Sequence, residues 1–196
     1  MTVDQSWANQ AQLGDEEAFT NLVKHYQSPV YNLCYRMLGE PEAAEDAAQE
    51  AFLRAYQNIW RYNRERSFAT WLLSIAAHYC IDQLRRKHLV VFSTDEAPDF
   101  DMPDRSAPDP ENETVRKEES QRLHGLLKNL EPLDRAVIIL RYWNDRSEKE
   151  IAEILQLTVS AVKSRLHRTR LALAKDWQEK QPKGCKKRMI YESPAY

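Results

Sequence analysis

Residues 147–171, SEKEIAEILQLTVSAVKSRLHRTRL, constrain the fold more than any other stretch: they read as a helix, a tight turn and a second, basic helix. Ser147 and Glu150 stand at capping-box spacing, each able to satisfy a free backbone donor of the other. Ile151, Ile154 and Leu155 then recur at helical spacing. Leu157 closes the apolar contact, and Thr158 can cap a second helix beginning at Val159. At about 100° per residue, Val162, Leu166, Thr169 and Leu173 share one face of that helix. Ser160, Ser164, His167, Arg168 and Leu171 share the opposite face, flanked by Lys163, Arg165 and Arg170. No acidic residue occurs from Thr158 to Lys175. An apolar inner face, hydrogen-bonding groups outside and cations at the flanks suit a helix lying in a DNA groove. The same pattern suits an ordinary helical hairpin with a solvated basic face.

Charge divides the chain. Between Ser93 and Glu113 stand eight acids against one base, Arg105, a net of −7 in a chain of net −2, so the remainder carries +5. A mildly acidic total therefore does not exclude nucleic-acid binding, because the cations are clustered. Four of the nine prolines (Pro98, Pro103, Pro108, Pro110) fall in the same segment. Proline denies helix donors and like charges repel, so residues 93–113 are expected to form an extended, poorly ordered linker. It separates an N-terminal helical domain, residues 10–92, from a C-terminal one, residues 114–178. Fully extended, such a linker reaches about 70 Å, enough for the two domains to engage separate sites. The tail, 179–196, has basic and aromatic residues without periodicity and reads as disordered.

With only four glycines, 42% hydrophobic residues and long 3.6-residue periodicities, the fold class is all-α. No apolar run is long enough to span a bilayer, and MTVDQSWANQ lacks the parts of a signal peptide, so a cytoplasmic protein without membrane insertion is expected. Cys34, Cys80 and Cys185 are widely spaced with no C-x-x-C, which favours neither a disulfide framework nor a zinc site. No phosphate-gripping glycine loop, H-E-x-x-H or paired nucleophile and base points to an enzyme.

The first domain reads as four helices. Residues 16–38 carry a broad apolar face with a kink expected at Pro29. Residues 41–60 begin with acids, favourable at a helix N-terminus, and bury Ala47, Ala48, Ala51, Phe52, Ala55 and Ile59. A loop of three arginines, an asparagine and a tyrosine covers 61–67. The last helix, 68–88, carries Trp71, Leu72, Ile75 and Ala76 and ends in a charged cluster.

Three blocks in order, EAAEDAAQEAFLRAYQNI (42–59), SFATWLLSIAAHYCIDQLRRK (67–87) and LRYWNDRSEKEIAEILQLTVSAVKSRLHRTR (140–170), give the chain its resemblance to the extracytoplasmic-function, or group IV, sigma factors. These are two-domain promoter-specificity subunits of bacterial RNA polymerase. The resemblance covers about residues 12–90 and 114–176. It implies a sigma domain 2 four-helix bundle and a sigma domain 4 helix-turn-helix, no cofactor and no metal. Its implied partners are the polymerase core (clamp helices and flap of the large subunits), promoter DNA and an anti-sigma factor.

The resemblance also implies residue roles. Asp46, Gln49, Glu50, Phe52 and Leu53 match the surface that docks on the clamp helices, where polar rims surround an apolar anchor; Phe52 suits core packing equally. Arg54, Asn58, Tyr62, Trp71 and His78 match positions around the flipped −10 base, with Asn63 in the adjoining loop. Aromatic rings there replace lost stacking while polar groups read the exposed edge. Trp71 is an equally good core residue. Arg64, Arg66, Arg85, Arg86 and Lys87 would bind phosphates. Ser160, Lys163, Ser164, His167 and Arg168 match positions that face the −35 element, and Arg165 suits a phosphate contact. In related proteins the acidic linker threads the polymerase near the RNA exit path; here it serves equally as a charged spacer. Three departures stand out: Gln156 where Gly is common in the turn, Arg146 where an apolar residue is usual, and His78 where Asn is common. A stand-alone repressor, dimerising through its first domain, would explain the basic helix but leave SFATWLLSIA and its arginine-rich loop without a purpose.

Overall fold

The computed structural model describes residues 3–91 and 123–179. The acidic linker, Cys185 and the tail beyond residue 179 lie outside the described residues. Eight helices are present among them: α1 (Val3–Gln12), α2 (Glu16–Leu38), α3 (Pro41–Gln57), α4 (Phe68–Val91), α5 (residues 123–128), α6 (Pro132–Tyr142), α7 (Glu148–Leu155) and α8 (Val159–Glu179). A short 3-10 turn, Ile59–Arg61, follows α3. The all-α reading holds, and among the described residues no helix is long and apolar enough to cross a membrane.

Local chemistry sets the boundaries. Asp15 caps α2 by accepting from the Ala18 N–H at 3.0 Å. Gly39, at φ 84°, closes it in the left-handed region and donates its N–H to the Tyr35 carbonyl. Pro41 opens α3, where its missing N–H costs nothing. The fourth helix of the first body is α1, which begins at Val3. It packs on α2 and reaches the 3-10 turn and α4. α1 thus begins before residue 10, where the first domain was expected to start. The helix expected over 41–60 stops at Gln57, because Asn58 leaves helical backbone and its N–H bonds to Arg54 and Tyr56 carbonyls.

α2, α3 and α4 pack on one another around Leu22, Val30, Leu33, Met37, Ala44, Ala47, Ala51, Phe68, Leu72 and Ala76, all essentially sealed from solvent. The alanine face of α3 lets its backbone approach α2 closely. α6 is buried all round from Arg135 to Leu140, as a helix surrounded by neighbours must be. Those neighbours are α2, α4, α7 and α8. Cys34 and Cys80 are free thiols brought together by α2 and α4. A hydrogen bond with Cys34, followed by burial, pushes the Cys80 thiol far above its usual range.

The two halves do not stand apart. α7 packs against α4 as well as α8, and a single apolar cluster runs from Ala8 to Leu166. Arg135 joins the halves: its guanidinium donates to the Met37 carbonyl at the end of α2 (2.6 Å) and to the carbonyls of Lys128 (2.8 Å) and Leu130 (3.4 Å). Burial pulls its pKa down to about 10. Beside it Asn144 donates to the Pro29 carbonyl, Arg36 lies 4.7 Å over the Trp143 ring, and His124 meets Tyr35 edge-on.

Candidate nucleic-acid interface

The capping box expected at Ser147 is complete: Glu150 N–H donates to Ser147 Oγ at 3.2 Å and Ser147 N–H donates to Glu150 Oε2 at 2.8 Å. Arg146, which stands where an apolar residue is usual, donates to Glu150 at 3.0 Å and to the Asn144 carbonyl at 2.6 Å. It reinforces the box. Partial burial pushes the Glu150 carboxyl up, but the Ser147 hydrogen bonds and the Arg146 charge outweigh this and hold it below the ordinary range. Gln156 does take the left-handed conformation, at φ 55° and ψ 44°.

In α8, Val162, Leu166 and Thr169 are buried while Ser160, Lys163, Ser164, His167, Arg168 and Leu171 are exposed. The inner and outer faces therefore fall where the periodicity put them. The flanking cations are not all equally available. Arg165 pairs with Asp134 of α6, and its side chain is only 26% exposed. Arg168 reaches the same carboxylate at 3.7 Å but remains 68% exposed, and Lys163 meets Glu148 at 3.7 Å. The acids missing from residues 158–175 are supplied by α6 and α7.

In the N-terminal half, Arg54, Asn58, Arg61, Trp71, Ser74, Ile75 and His78 line an open cleft of about 350 Å³ between α3 and α4. Trp71 packs on the core against Tyr62 and Phe68 and also lines the cleft. Arg54 is held by Glu50 at 2.7 Å and lies 4.9 Å over the Tyr79 ring. Arg61 lies 4.5 Å over the ring of Trp60, a residue 64% exposed.

Tyr62 is a correction. Its side chain is buried, 3% exposed, and its hydroxyl donates to the Arg66 carbonyl. Packed against Phe68 and Trp71, the ring has no face left for a base. The reason is local: the 3-10 turn rotates Tyr62 inward and leaves Trp60 outside.

The loop after it is held from a direction the sequence did not disclose. Gln12, at the end of α1, donates through Nε2 to the carbonyls of Tyr62 (2.7 Å), Ile59 (3.1 Å) and Trp60 (3.5 Å). Arg64 Nε donates back to Gln12 Oε1 at 2.6 Å, and Gln5 donates to the Arg64 carbonyl. Asn63 turns its side chain onto the Glu65 N–H. Arg64 and Arg66 face solvent, as do Arg85, Arg86 and Lys87 further along α4. Ser74 was also missed, although it sits three residues after Trp71 and four before His78, on their face of α4.

A second hollow, about 500 Å³, lies between α2 and α3 and is lined by Val23, Tyr31, Ala48, Gln49 and Phe52 among others. Phe52 packs on the core and borders this groove, so neither of its two readings displaces the other. Asp46 and Leu53 are exposed on the outer side of α3, and Tyr56 and Trp60 continue that exposed row.

A basic helix-turn-helix and a base-sized cleft flanked by arginines and an aromatic ring define a DNA-reading helical protein of two parts. Residues 22–89 match Sigma-70 region 2 and residues 120–173 match Sigma-70, region 4. The chain is 39% identical to the ECF RNA polymerase sigma factor SigW of Bacillus subtilis over 176 residues, 87% of this chain and 94% of SigW. It is 32% identical to the ECF RNA polymerase sigma-E factor of Escherichia coli K12, over 87% of this chain and 92% of that one. Among solved structures, CnrH in complex with the cytosolic domain of CnrY has a TM-score of 0.70 at 25% identity, over 92% of this chain and all of the other. The chain belongs to the extracytoplasmic-function RNA polymerase sigma factors, and its activity is promoter-specific initiation of transcription.

Proposed function

We propose that the work of initiation is divided among three surfaces of this chain. The outer row of α3 with the α2–α3 groove (Asp46, Gln49, Phe52, Leu53) docks on the clamp helices of the polymerase core, with Glu50 holding Arg54 in place. The cleft between α3 and α4, with the loop 61–67 and the end of α4, takes an extruded base and the phosphates around the −10 element. Unstacking a base costs a few kcal/mol and each aromatic stack returns about 1–3 kcal/mol; Trp71 is the ring that remains available. The outer face of α8, with Ser160, Lys163, Ser164, His167 and Arg168, reads the −35 element, while Arg165 orients that helix through Asp134. The domain limits proposed are 3–92 and 114–179, with the acidic linker between them.

The observation that carries this reading is the coexistence in one chain of a base-sized cleft rimmed by arginines and a separate basic helix with exposed polar groups. The chain itself makes and breaks no bond, and it acts in the cytoplasm, where its polymerase is. An anti-sigma factor is a further proposed partner, supported by CnrH having been solved with CnrY and by an RpoE of Bartonella quintana solved with the anti-sigma factor NepR. Transcription reconstituted from purified polymerase core should depend on added chain. Arg168→Ala should weaken −35-dependent promoter binding by about 1–3 kcal/mol; an unchanged footprint would remove Arg168 from the reading surface.

A further inference from the structure

We infer that α1 is part of the promoter-binding apparatus, with Gln12 a positioning residue that sets the Arg64 guanidinium on a phosphate beside the −10 element. α1 (Val3–Gln12) lies outside residues 22–89, the stretch matched to Sigma-70 region 2. The inference rests on the phosphate-binding role proposed above for the loop 61–67. Two features fix Gln12 independently of that loop. α1 is pinned to α2: the Tyr26 hydroxyl donates to Asp4 at 2.6 Å, Trp7 meets His25 edge-on, and Ala8 and Ala11 are buried. The chain then turns at once after Gln12. The N–H groups of Leu13 and Gly14 bond to the Gln10 and Ala11 carbonyls, and Gly14 takes φ 97°, a value that suits glycine.

From this fixed base the two ends of the Gln12 amide do different work. Nε2 donates to loop carbonyls, the nearest being Tyr62 at 2.7 Å, while Oε1 accepts from Arg64 Nε at 2.6 Å. Only one orientation of the amide meets both demands, because carbonyls accept and the Nε–H donates. Gln5 holds the carbonyl of Arg64 itself, also at 2.6 Å. Arg64 is therefore restrained at its backbone and at its inner nitrogen, although its side chain faces solvent. The entropy of ordering a long side chain, which opposes binding, is thereby already lowered in the free chain. The character of the partner matters as much as its place. Arg54 is held by the Glu50 carboxylate and Arg165 by that of Asp134. Arg64 is held by a neutral amide, which orients the guanidinium without cancelling its charge. The four N–H groups on Nη1 and Nη2 have no partner among the described residues. They form the planar fork that fits two phosphate oxygens.

The test uses holoenzyme assembled from each full chain and bacterial polymerase core. The probe is fork-junction DNA, duplex through −35 and single-stranded at −10, with a sequence that wild-type holoenzyme retains from a random pool. Affinity is measured across a salt series. Arg64→Ala should weaken binding about tenfold, the scale of one hydrogen bond to a charged group. It should also flatten the plot of log K against log salt by about 0.7–0.9, the contribution of one phosphate. Gln12→Ala should weaken binding by at least about threefold more in the native background than in an Arg64→Ala background. Loosening of the loop backbone enters both backgrounds alike and drops out of that ratio. Duplex DNA carrying only the −35 element should bind the wild-type and Gln12→Ala holoenzymes equally, which shows that the variant is folded. Equal losses in the two backgrounds, or no loss in either, would overturn the positioning role while leaving Arg64 on its phosphate. An unchanged salt slope for Arg64→Ala would instead remove the phosphate contact, and the inference with it.

Discussion

Gln12→Ala isolates how the loop at the cleft is held. The amide nitrogen has two protons for three carbonyls, so its real bonds are the two shorter ones, to Tyr62 at 2.7 Å and Ile59 at 3.1 Å. Each such bond nets about 0.5–1.5 kcal/mol, and the solvent-facing bond from Arg64 adds less than about 1 kcal/mol. Alanine should therefore cost about 2 kcal/mol. For a chain of 196 residues each kcal/mol moves Tm by about 2–4 °C, so thermal unfolding followed by circular dichroism should fall by about 4–8 °C. Amide exchange should accelerate at Arg61 and Arg66, whose N–H groups bond to the Asn58 and Asn63 carbonyls inside the same turn and loop. Gln12→Glu is the sharper control: it keeps the length but faces the carbonyls with acceptors, and should be worse than alanine. A Gln12→Ala chain melting within 1 °C of wild type with unaltered exchange would refute the clamp, as would a Gln12→Glu chain more stable than Gln12→Ala.

Two further outcomes follow from backbone and charge. Gln156→Gly should stabilise the chain by about 0.5–1 kcal/mol, because a non-glycine residue in the left-handed region costs about 1–2 kcal/mol and glycine gives part of that back in chain entropy; a denaturant midpoint unchanged or lowered would contradict this. Glu150 is held below the ordinary carboxylate range, so its contribution is present above an unfolded pKa of about 4.3 and lost as pH falls through the lower folded value. Stability curves of wild type and Glu150→Gln, measured from pH 7 to pH 2, should therefore converge at the acid end; a constant gap would show that the carboxylate charge is not what Glu150 supplies.

How far the fold could be read in advance depended on the range of the interactions involved. The capping box at Ser147, the inward face of Val162 and Leu166 and the left-handed turn at Gln156 are set within four residues of chain, and each stands where the spacing put it. Asp134 lies 31 residues before Arg165, so no pattern inside α8 could disclose that one of its cations is already engaged. Tyr62 illustrates a second obstacle. An aromatic beside arginines in a polar loop suits base stacking, but one turn of 3-10 helix exchanges it with Trp60, and propensities do not fix so small a rotation. α1 escaped notice as a separate helix because its part is polar: Gln5 and Gln12 hold backbone atoms some fifty to sixty residues away, and amide-to-carbonyl bonds leave no apolar period. The packing of the two halves on each other was hidden for a related reason, since Arg135 meets carbonyl oxygens, which every residue possesses.

The Arg135 junction has an uneven thermodynamic character. Prising the halves apart would return the guanidinium to water, a gain for a charge that has no carboxylate beside it among the described residues, and would strip cover from the apolar sides of α4 and α7. Release is thus favoured by the ionic component and resisted by the oily one. Because apolar burial weakens on cooling, the contact between the two halves should loosen in the cold.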